Sequence, residues 1–266
     1  MDTRIGSNFA SLSGKTLNTE TKTALFDVGD HAIYWLGITD ATAFRCNTYL
    51  IADGDQFLLV DPGSRSFFQQ VRDRVAQVVD PSRITGLVIC HQDPDVGASM
   101  VDWLDIVPEA TVYTTPRTQV LLPHYGASDY RYHNVSGKPI LILPSGQQLR
   151  FIEAPFLHFP GAFTTYDETT RFLFSGDIWA ALDLDWTLVV DDFESHVNRM
   201  DLFHIDYMAS NVAARGFVHK LDGLAIDAIL PQHGSIIPSA YVPAALNYLR
   251  NLRCGLDIVY AGMSGR

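Results

Sequence analysis

Charge is scarce in this chain. Asp, Glu, Lys and Arg make up 18% of its 266 residues, against 47% hydrophobic residues. That balance excludes an intrinsically disordered protein, because disorder follows from too little apolar surface to offset the ordering entropy. Positive charge is scarcer still: 19 Lys and Arg face 30 Asp and Glu, for a formal net charge of −11, and no basic run occurs. Nucleic acid and anionic membrane surfaces are therefore not expected as partners, since neutralising phosphates requires clustered Lys and Arg. Long apolar runs are missing as well. No stretch reaches the ~18 uninterrupted apolar residues of a membrane span, and the opening MDTRIGSNFASLSGKTLNTE has no signal-peptide core. A cytoplasmic protein is the expectation. Cys46, Cys90 and Cys254 are the only cysteines and show no CxxC spacing. This excludes a disulfide framework and a zinc ribbon, and leaves buried, reduced thiols.

Internal repeats and low-complexity linkers are also absent. Residues 1–22, polar and rich in Ser, Thr and Asn, read as a flexible leader, and residues 23–266 as a single domain. Within that domain short apolar runs recur between turn signals, at 32–37, 48–52, 57–60, 86–90, 111–115, 140–143, 149–152, 172–174 and 225–230. Their length and β-branched content predict buried strands. In FFQQVRDRVAQVV, Phe67, Phe68, Val71, Val75 and Val78 share one helical face, the stripe of a helix packed on a sheet. Further helices are predicted over about 96–104, 116–122, 195–219 and 239–252. Early strands follow one another directly and later ones alternate with helices, which predicts mixed sheets flanked by helices.

The densest chemical signal is CHQDPDVG. It follows the strand-like run 86–90, so His91 stands where a strand gives way to a loop, and His91, Asp93 and Asp95 alternate around Pro94. Two neighbouring carboxylates repel each other, and a cation offsets that repulsion directly. Three later segments repeat the pattern: His158 in APFLHFPGAFTTY, Asp177 in RFLFSGDIW and His233 in AIDAILPQHGS each come just after a strand-like run. Singly, each has a plain explanation. Asp95 could cap a helix starting at Val96, His158 and His233 could be hydrogen-bonded core histidines, and Asp177 a turn residue. Four strand-exit loops that all present His or Asp point instead to a metal site.

At these residues the chain resembles the metallo-β-lactamase superfamily, and within it the diiron domain of flavodiiron proteins. The superfamily's HxHxDH motif, HxExDH in the flavodiiron branch, stands here as His91-Gln92-Asp93-Pro94-Asp95-Val96. NTYLIADGDQFLLVDPG, LHFPGAFTTYDETTRFLFSGD and LDGLAIDAILPQHGSIIP are similar to further segments of that branch, and the resemblance covers roughly residues 25–238. It implies an α/β (α+β) fold, a four-layer αββα sandwich of two mixed sheets flanked by helices. It also implies that His91, Asp93 and His158 bind one metal, that Asp95 and His233 bind the other, and that Asp177 bridges them. Val96 replaces the histidine that ends the motif, so the second metal lacks a nitrogen ligand and keeps an open position. His204 is the candidate replacement. Tyr166 and Trp179 are candidates for positions just outside the ligands, with Tyr166 donating a hydrogen bond to bound oxygen.

Three imidazoles and three carboxylates form a hard, oxygen-rich set that suits two iron ions, with zinc or manganese as alternatives. Only 32 residues follow Gly234, too few for the flavodoxin-like domain of oxygen- and nitric oxide-reducing relatives, so no flavin is expected in this chain. The resemblance then narrows to stand-alone oxygen-binding diiron proteins. The expected function is binding of O2 or NO, either as a sensor that signals to another protein or as a reductase with an external electron donor. A homodimer is the expected assembly. The alternative is a dinuclear metallohydrolase of the same superfamily, with a metal-bound hydroxide as nucleophile.

Overall fold

The computed structural model describes residues 9–12, 21–38, 43–127, 129–185 and 187–263. Most of the predicted leader lies outside them. Its described part, helix α1 (Phe9–Leu12), places the buried Phe9 ring 5.1 Å from that of Phe172.

Strands β1 (Thr23–Val28), β2 (His31–Ile38), β3 (Asn47–Asp53) and β4 (Gln56–Val60) form an antiparallel meander. The sheet continues in parallel through β5 (Gly86–Val88), β6 (Thr111–Thr114) and β7 (Arg131–Asn134). The second sheet holds β8 (Ile140–Ile142), β9 (Gln148–Glu153), β10 (Phe163–Asp167), β11 (Phe172–Gly176), β12 (Ala228–Pro231) and β13 (Ile237–Pro238). Their spatial order is β13-β12-β11-β10-β9-β8, with only β11 and β12 parallel. Both sheets are thus mixed.

Side-chain alternation along the second sheet generates the layers. Phe172, Phe174, Ala228 and Leu230 point into a core shared with the first sheet and with helices α2 (Phe68–Val75) and α4 (Met100–Ile106). The intervening Leu173 and Ile229 point the other way, onto helices α6 (Phe193–Tyr207), α7 (Asn211–Lys220) and α8 (Val242–Asn251). Helices, two sheets and helices follow in that order, the expected four layers. The central strands are buried on both faces, which is why they read as unbroken apolar runs.

Several expected helices are shorter than their periodicity suggests. Residues 96–104 divide into α3 (Pro94–Gly97) and α4, because the Ser99 backbone N–H and hydroxyl donate to the Gly63 and Pro62 carbonyls. Only Pro116–Gln119 of the next span is α-helical, as α5. The long helix over 195–219 is two helices, since Met208 is extended and the Ser210 hydroxyl caps α7 by accepting from Ala213 N–H. The tail forms a short helix, α9 (Leu256–Val259), with the Asp257 carboxylate accepting from Asn211 N–H at 2.6 Å. Among the described residues no helix is long and apolar enough to cross a membrane.

A buried ionic clasp joins the sheets at one end. His31, at the start of β2, lies 2.9 Å from Asp53 through Nδ1 and 2.7 Å from Asp167 on β10 through Nε2. The opposite ends of β3 and β10 carry the candidate site.

Candidate metal centre

Parallel strands leave a sheet at a common edge, so the exits of β4 and β5 lie together, as do those of β11 and β12. β3 runs antiparallel to β4, and its entry therefore falls at that same edge. There the two sheets meet. Cys46 pairs with His233 in an isolated antiparallel bridge, and Asn47 N–H donates to Gln232 C=O at 2.6 Å. The Asn47 amide donates to the Pro231 and Gly234 carbonyls at 2.9 and 2.8 Å, and its oxygen accepts from the Trp35 indole at 2.8 Å. Asp61, just past β4, accepts from Cys90 N–H at 3.0 Å and so holds the strand exit that presents His91. After His233 the chain passes so close to Ala181 that a Cβ on Gly234 would lie 2.7 Å from the Ala181 Cβ.

All six expected ligand residues converge here, in two groups. In the first, His91 Nε2 lies 3.2 Å from Asp177 Oδ2 and 3.6 Å from Asp93 Oδ2. His158 Nε2 lies 3.0 and 3.2 Å from the same two oxygens. In the second, His233 Nε2 lies 3.3 Å from Asp95 Oδ2 and 3.6 Å from Asp177 Oδ1. One Asp177 oxygen thus faces each group. The donor atoms of His91, Asp93, His158 and Asp177 lie within 4.8 Å of one another, and so do those of Asp95, His233 and Cys46.

The donor set fits a pair of cations. His91 Nε2, His233 Nε2 and Asp177 Oδ1 are buried without a hydrogen-bond partner among the described residues. Buried polar atoms left unpaired are destabilising by about 1–3 kcal/mol each, so three in one cluster call for a ligand. The other imidazole nitrogens are occupied: His233 Nδ1 donates to the Arg45 carbonyl at 3.1 Å, and His91 Nδ1 lies 3.1 Å from Cys90 Sγ. Such contacts orient a ring so that its free nitrogen faces a metal. Without a cation, protons take its place. Burial alone would lower the pKa of His158, but Asp177 and Asp93 override it and raise it to about 9. His91 and His233 are raised well above the usual histidine range against the same burial. Asp177 is held well below the usual carboxylate range, its burial outweighed by His91, His158 and His233.

The sequence model of a family described as ODP family beta lactamase matches residues 44–234, well over half of the chain and all six converging residues. The chain belongs to that ODP family. It is 34% identical to a solved structure described as a peroxy diiron species of the chemotaxis sensor ODP, at a TM-score of 0.81, covering 90% of this chain and 99% of that one. The apo state of chemotaxis sensor ODP from T. denticola is 32% identical at a TM-score of 0.78, over 92% and 99% of the two chains. Among curated relatives, diflavin flavoprotein A 1 of Synechocystis is 30% identical over 59% of this chain and 28% of its own length. The anaerobic nitric oxide reductase flavorubredoxin of Enterobacter is 27% identical over 59% and 32%. The chain therefore spans about a third of the length of these two relatives.

Within this ODP-family frame, three expectations about neighbouring residues change. Tyr166 does not point at the cluster, because its hydroxyl donates to the Ala225 carbonyl at 2.7 Å. His204 does not replace the missing ligand. Its Nδ1 donates to Met200 C=O at 2.8 Å and its Nε2 accepts from Trp179 N–H at 2.9 Å, so neither nitrogen is open. Burial lowers its pKa to about 4, consistent with that neutral ring. Trp179 acts through its backbone just beyond Asp177, while its indole donates to Ala245 C=O at 2.9 Å. All three cysteines are buried and free, as expected.

Sequence reasoning missed Cys46 and the aromatic cover. Phe44 lies edge-on to His233 with centroids 5.0 Å apart, and Phe203 lies edge-on to His158 at 5.8 Å. Tyr207 stacks on Phe203 at 4.6 Å. Tyr125 donates its hydroxyl to the Gln92 carbonyl next to Asp93. Strand exits were the signal for the ligands, and Cys46 stands at a strand entry. Only the antiparallel course of β3 makes the two equivalent in space.

Proposed function

We propose that the chain is a non-heme diiron protein that binds dioxygen or nitric oxide at this paired site. Residues 23–266 form its single metal-binding domain. His91, Asp93 and His158 would hold one iron and Asp95 and His233 the other, with Asp177 shared between the two groups. The observation that carries this reading is the division of Asp177 between the groups, Oδ2 3.0 Å from His158 Nε2 and Oδ1 3.6 Å from His233 Nε2. A pair of ferrous ions would supply two electrons to a diatomic ligand. Three imidazoles and three carboxylates suit iron or manganese better than zinc.

The protein's own groups do the rest. Ring nitrogens fixed by the Arg45 carbonyl and by Cys90 Sγ keep the imidazoles aimed at the metals. Phe44, Phe203 and Tyr207 pack beside His233 and His158 and give one side of the site an apolar aromatic lining, which suits a small apolar gas better than a charged ester. That lining favours oxygen or nitric oxide binding over the hydrolase alternative. The peroxy diiron form of the ODP sensor supports iron and oxygen, and the flavorubredoxin supports nitric oxide as a ligand. Because the likeness to the sensor extends over 99% of its chain, sensing with a signal to a protein partner is favoured over reduction through an external electron donor. A cytoplasmic homodimer is part of the same proposal.

Anaerobic purification, metal counting and visible spectra before and after oxygen test it. About two irons and a new charge-transfer band support it. Stoichiometric zinc with no new band overturns it. Asp177→Ala should lose the pairing of the two metals in a folded protein.

A further inference from the structure

Where the motif of the resembling family ends in histidine, this chain has Val96. Val96 is fully buried against the core and offers no ligand atom. From the entry of β3 at the same sheet edge, Cys46 enters the second group: its Sγ lies 3.7 Å from Asp95 Oδ2, and with His233 the three donor atoms lie within 4.8 Å of one another. We propose that Cys46 is a thiolate ligand of the second metal, completing a Cys46-Asp95-His233 set bridged by Asp177 to the first. This rests on the reading of the cluster as a two-metal site.

Three observations carry it. Among the described residues His233 Nε2 is buried without a hydrogen-bond partner, 3.3 Å from Asp95 Oδ2 and within 4.8 Å of Cys46 Sγ. The thiol is held there by backbone pairing, through the Cys46–His233 bridge and the Asn47 N–H bond to Gln232 C=O. Charge also balances. Two divalent cations bring four positive charges, Asp93, Asp95 and Asp177 supply three negative ones, and a Cys46 thiolate is the fourth. A buried site is most stable when its charges cancel. On binding, the S–H proton passes to solvent and the sulfur lone pair forms the metal–sulfur bond, with no change in oxidation state. The site then becomes asymmetric: a hard pocket of two imidazoles and two carboxylates beside a softer one with sulfur, which favours zinc and ferrous iron at the second position over manganese.

The test loads the metal-free full chain with cobalt(II) and, separately, zinc. Wild type should bind two cobalt ions, the second developing a near-ultraviolet sulfur-to-cobalt charge-transfer band. Zinc-loaded protein should show a sulfur neighbour at ~2.3 Å by X-ray absorption. Cys46→Ser and Cys46→Ala should abolish the band and weaken the second metal by tenfold or more while the first binds unchanged, and Cys254→Ala should keep the band. Two metals bound with neither band nor sulfur scattering overturns the ligand assignment and leaves the two-metal reading standing. That result would make Cys46 a thiol donor to Asp95. Binding of fewer than two metals by wild type overturns the two-metal reading itself. The wild-type spectra decide the matter even if a Cys46 variant fails to fold.

Discussion

Replacing His31 with alanine removes the cation from the buried clasp between the sheets, and the consequence can be worked out from its contacts. His31, Asp53 and Asp167 are 3%, 1% and 0% exposed. Both ring nitrogens face carboxylates, at 2.9 and 2.7 Å, so both hydrogen bonds require the protonated ring, since a neutral imidazole donates only once. Removing one partner of a buried ion pair typically destabilises by about 3–5 kcal/mol. Here each carboxylate keeps other donors. Asp53 accepts from Ser145 N–H and Oγ–H at 2.8 and 2.7 Å, and Asp167 from Thr169 N–H and Thr170 Oγ–H at 2.9 and 3.0 Å. The lower end, about 3 kcal/mol, is therefore expected, a large share of the ~5–15 kcal/mol of an ordinary domain. The effect should depend on pH. Burial opposes the charge on His31, but Asp167 and Asp53 raise its pKa above the unfolded value. Its contribution is thus fully present below about pH 6.5 and is lost as pH rises through the folded value. Urea unfolding of metal-free wild type and His31→Ala, from pH 5.5 to 8.5, measures both. A loss under about 1 kcal/mol at pH 5.5, or a difference that grows with pH, would refute the clasp as described. Metal content should not change, because the clasp lies at the opposite ends of β3 and β10 from the site.

Other perturbations act on the site itself. Asn47→Ala removes three buried hydrogen bonds, two of them between the sheets, and should cost about 2–4 kcal/mol in urea unfolding, loosening the second metal before the first. If both metals weaken equally, the rivet role is wrong. Divalent metal must displace the proton that His158 holds up to about pH 9, so apparent zinc affinity should rise across pH 6.5–9, by up to about tenfold per unit for each displaced proton. The same proton stabilises the metal-free fold fully below about pH 6.5, an effect lost as pH rises through 9. Competition titrations with a chelator at several pH values check both signs, and a flat profile sinks the argument. Phe44→Ala, at a side chain 38% exposed, should change stability by less than about 1 kcal/mol yet speed metal extraction by chelator, because it opens the aromatic cover. Gly234→Ala should destabilise by more than about 2 kcal/mol, since φ is +87° and the new Cβ would meet Ala181.

Much of this was legible from local pattern. Short apolar runs marked nine of the thirteen strands among the described residues, and the alternating His-Asp motif with its later partners marked the residues that converge. What was missed shares a physical cause. β7 is an exposed edge strand of Arg, Tyr, His and Asn, and β10 buries Thr and Asp, whose polarity hides the strand pattern. Asp167 tolerates burial because His31, 136 positions away, adds a positive charge to its local hydrogen-bond donors. The long helix over 195–219 looked continuous because periodicity carries across a break of three residues, where Ser210 prefers to cap.

By itself the sequence determined the two mixed sheets with their helices, and which imidazoles and carboxylates stand at strand exits. Only the tertiary structure decided which side chains near them are available. Tyr166 and His204 are committed to the Ala225 and Met200 carbonyls and to Trp179 N–H, and Cys46 is delivered to His233 by cross-sheet pairing. The reason is that periodicity reports which face of an element is buried. Whether a donor atom is free or already bonded depends on partners that strand order alone brings within reach.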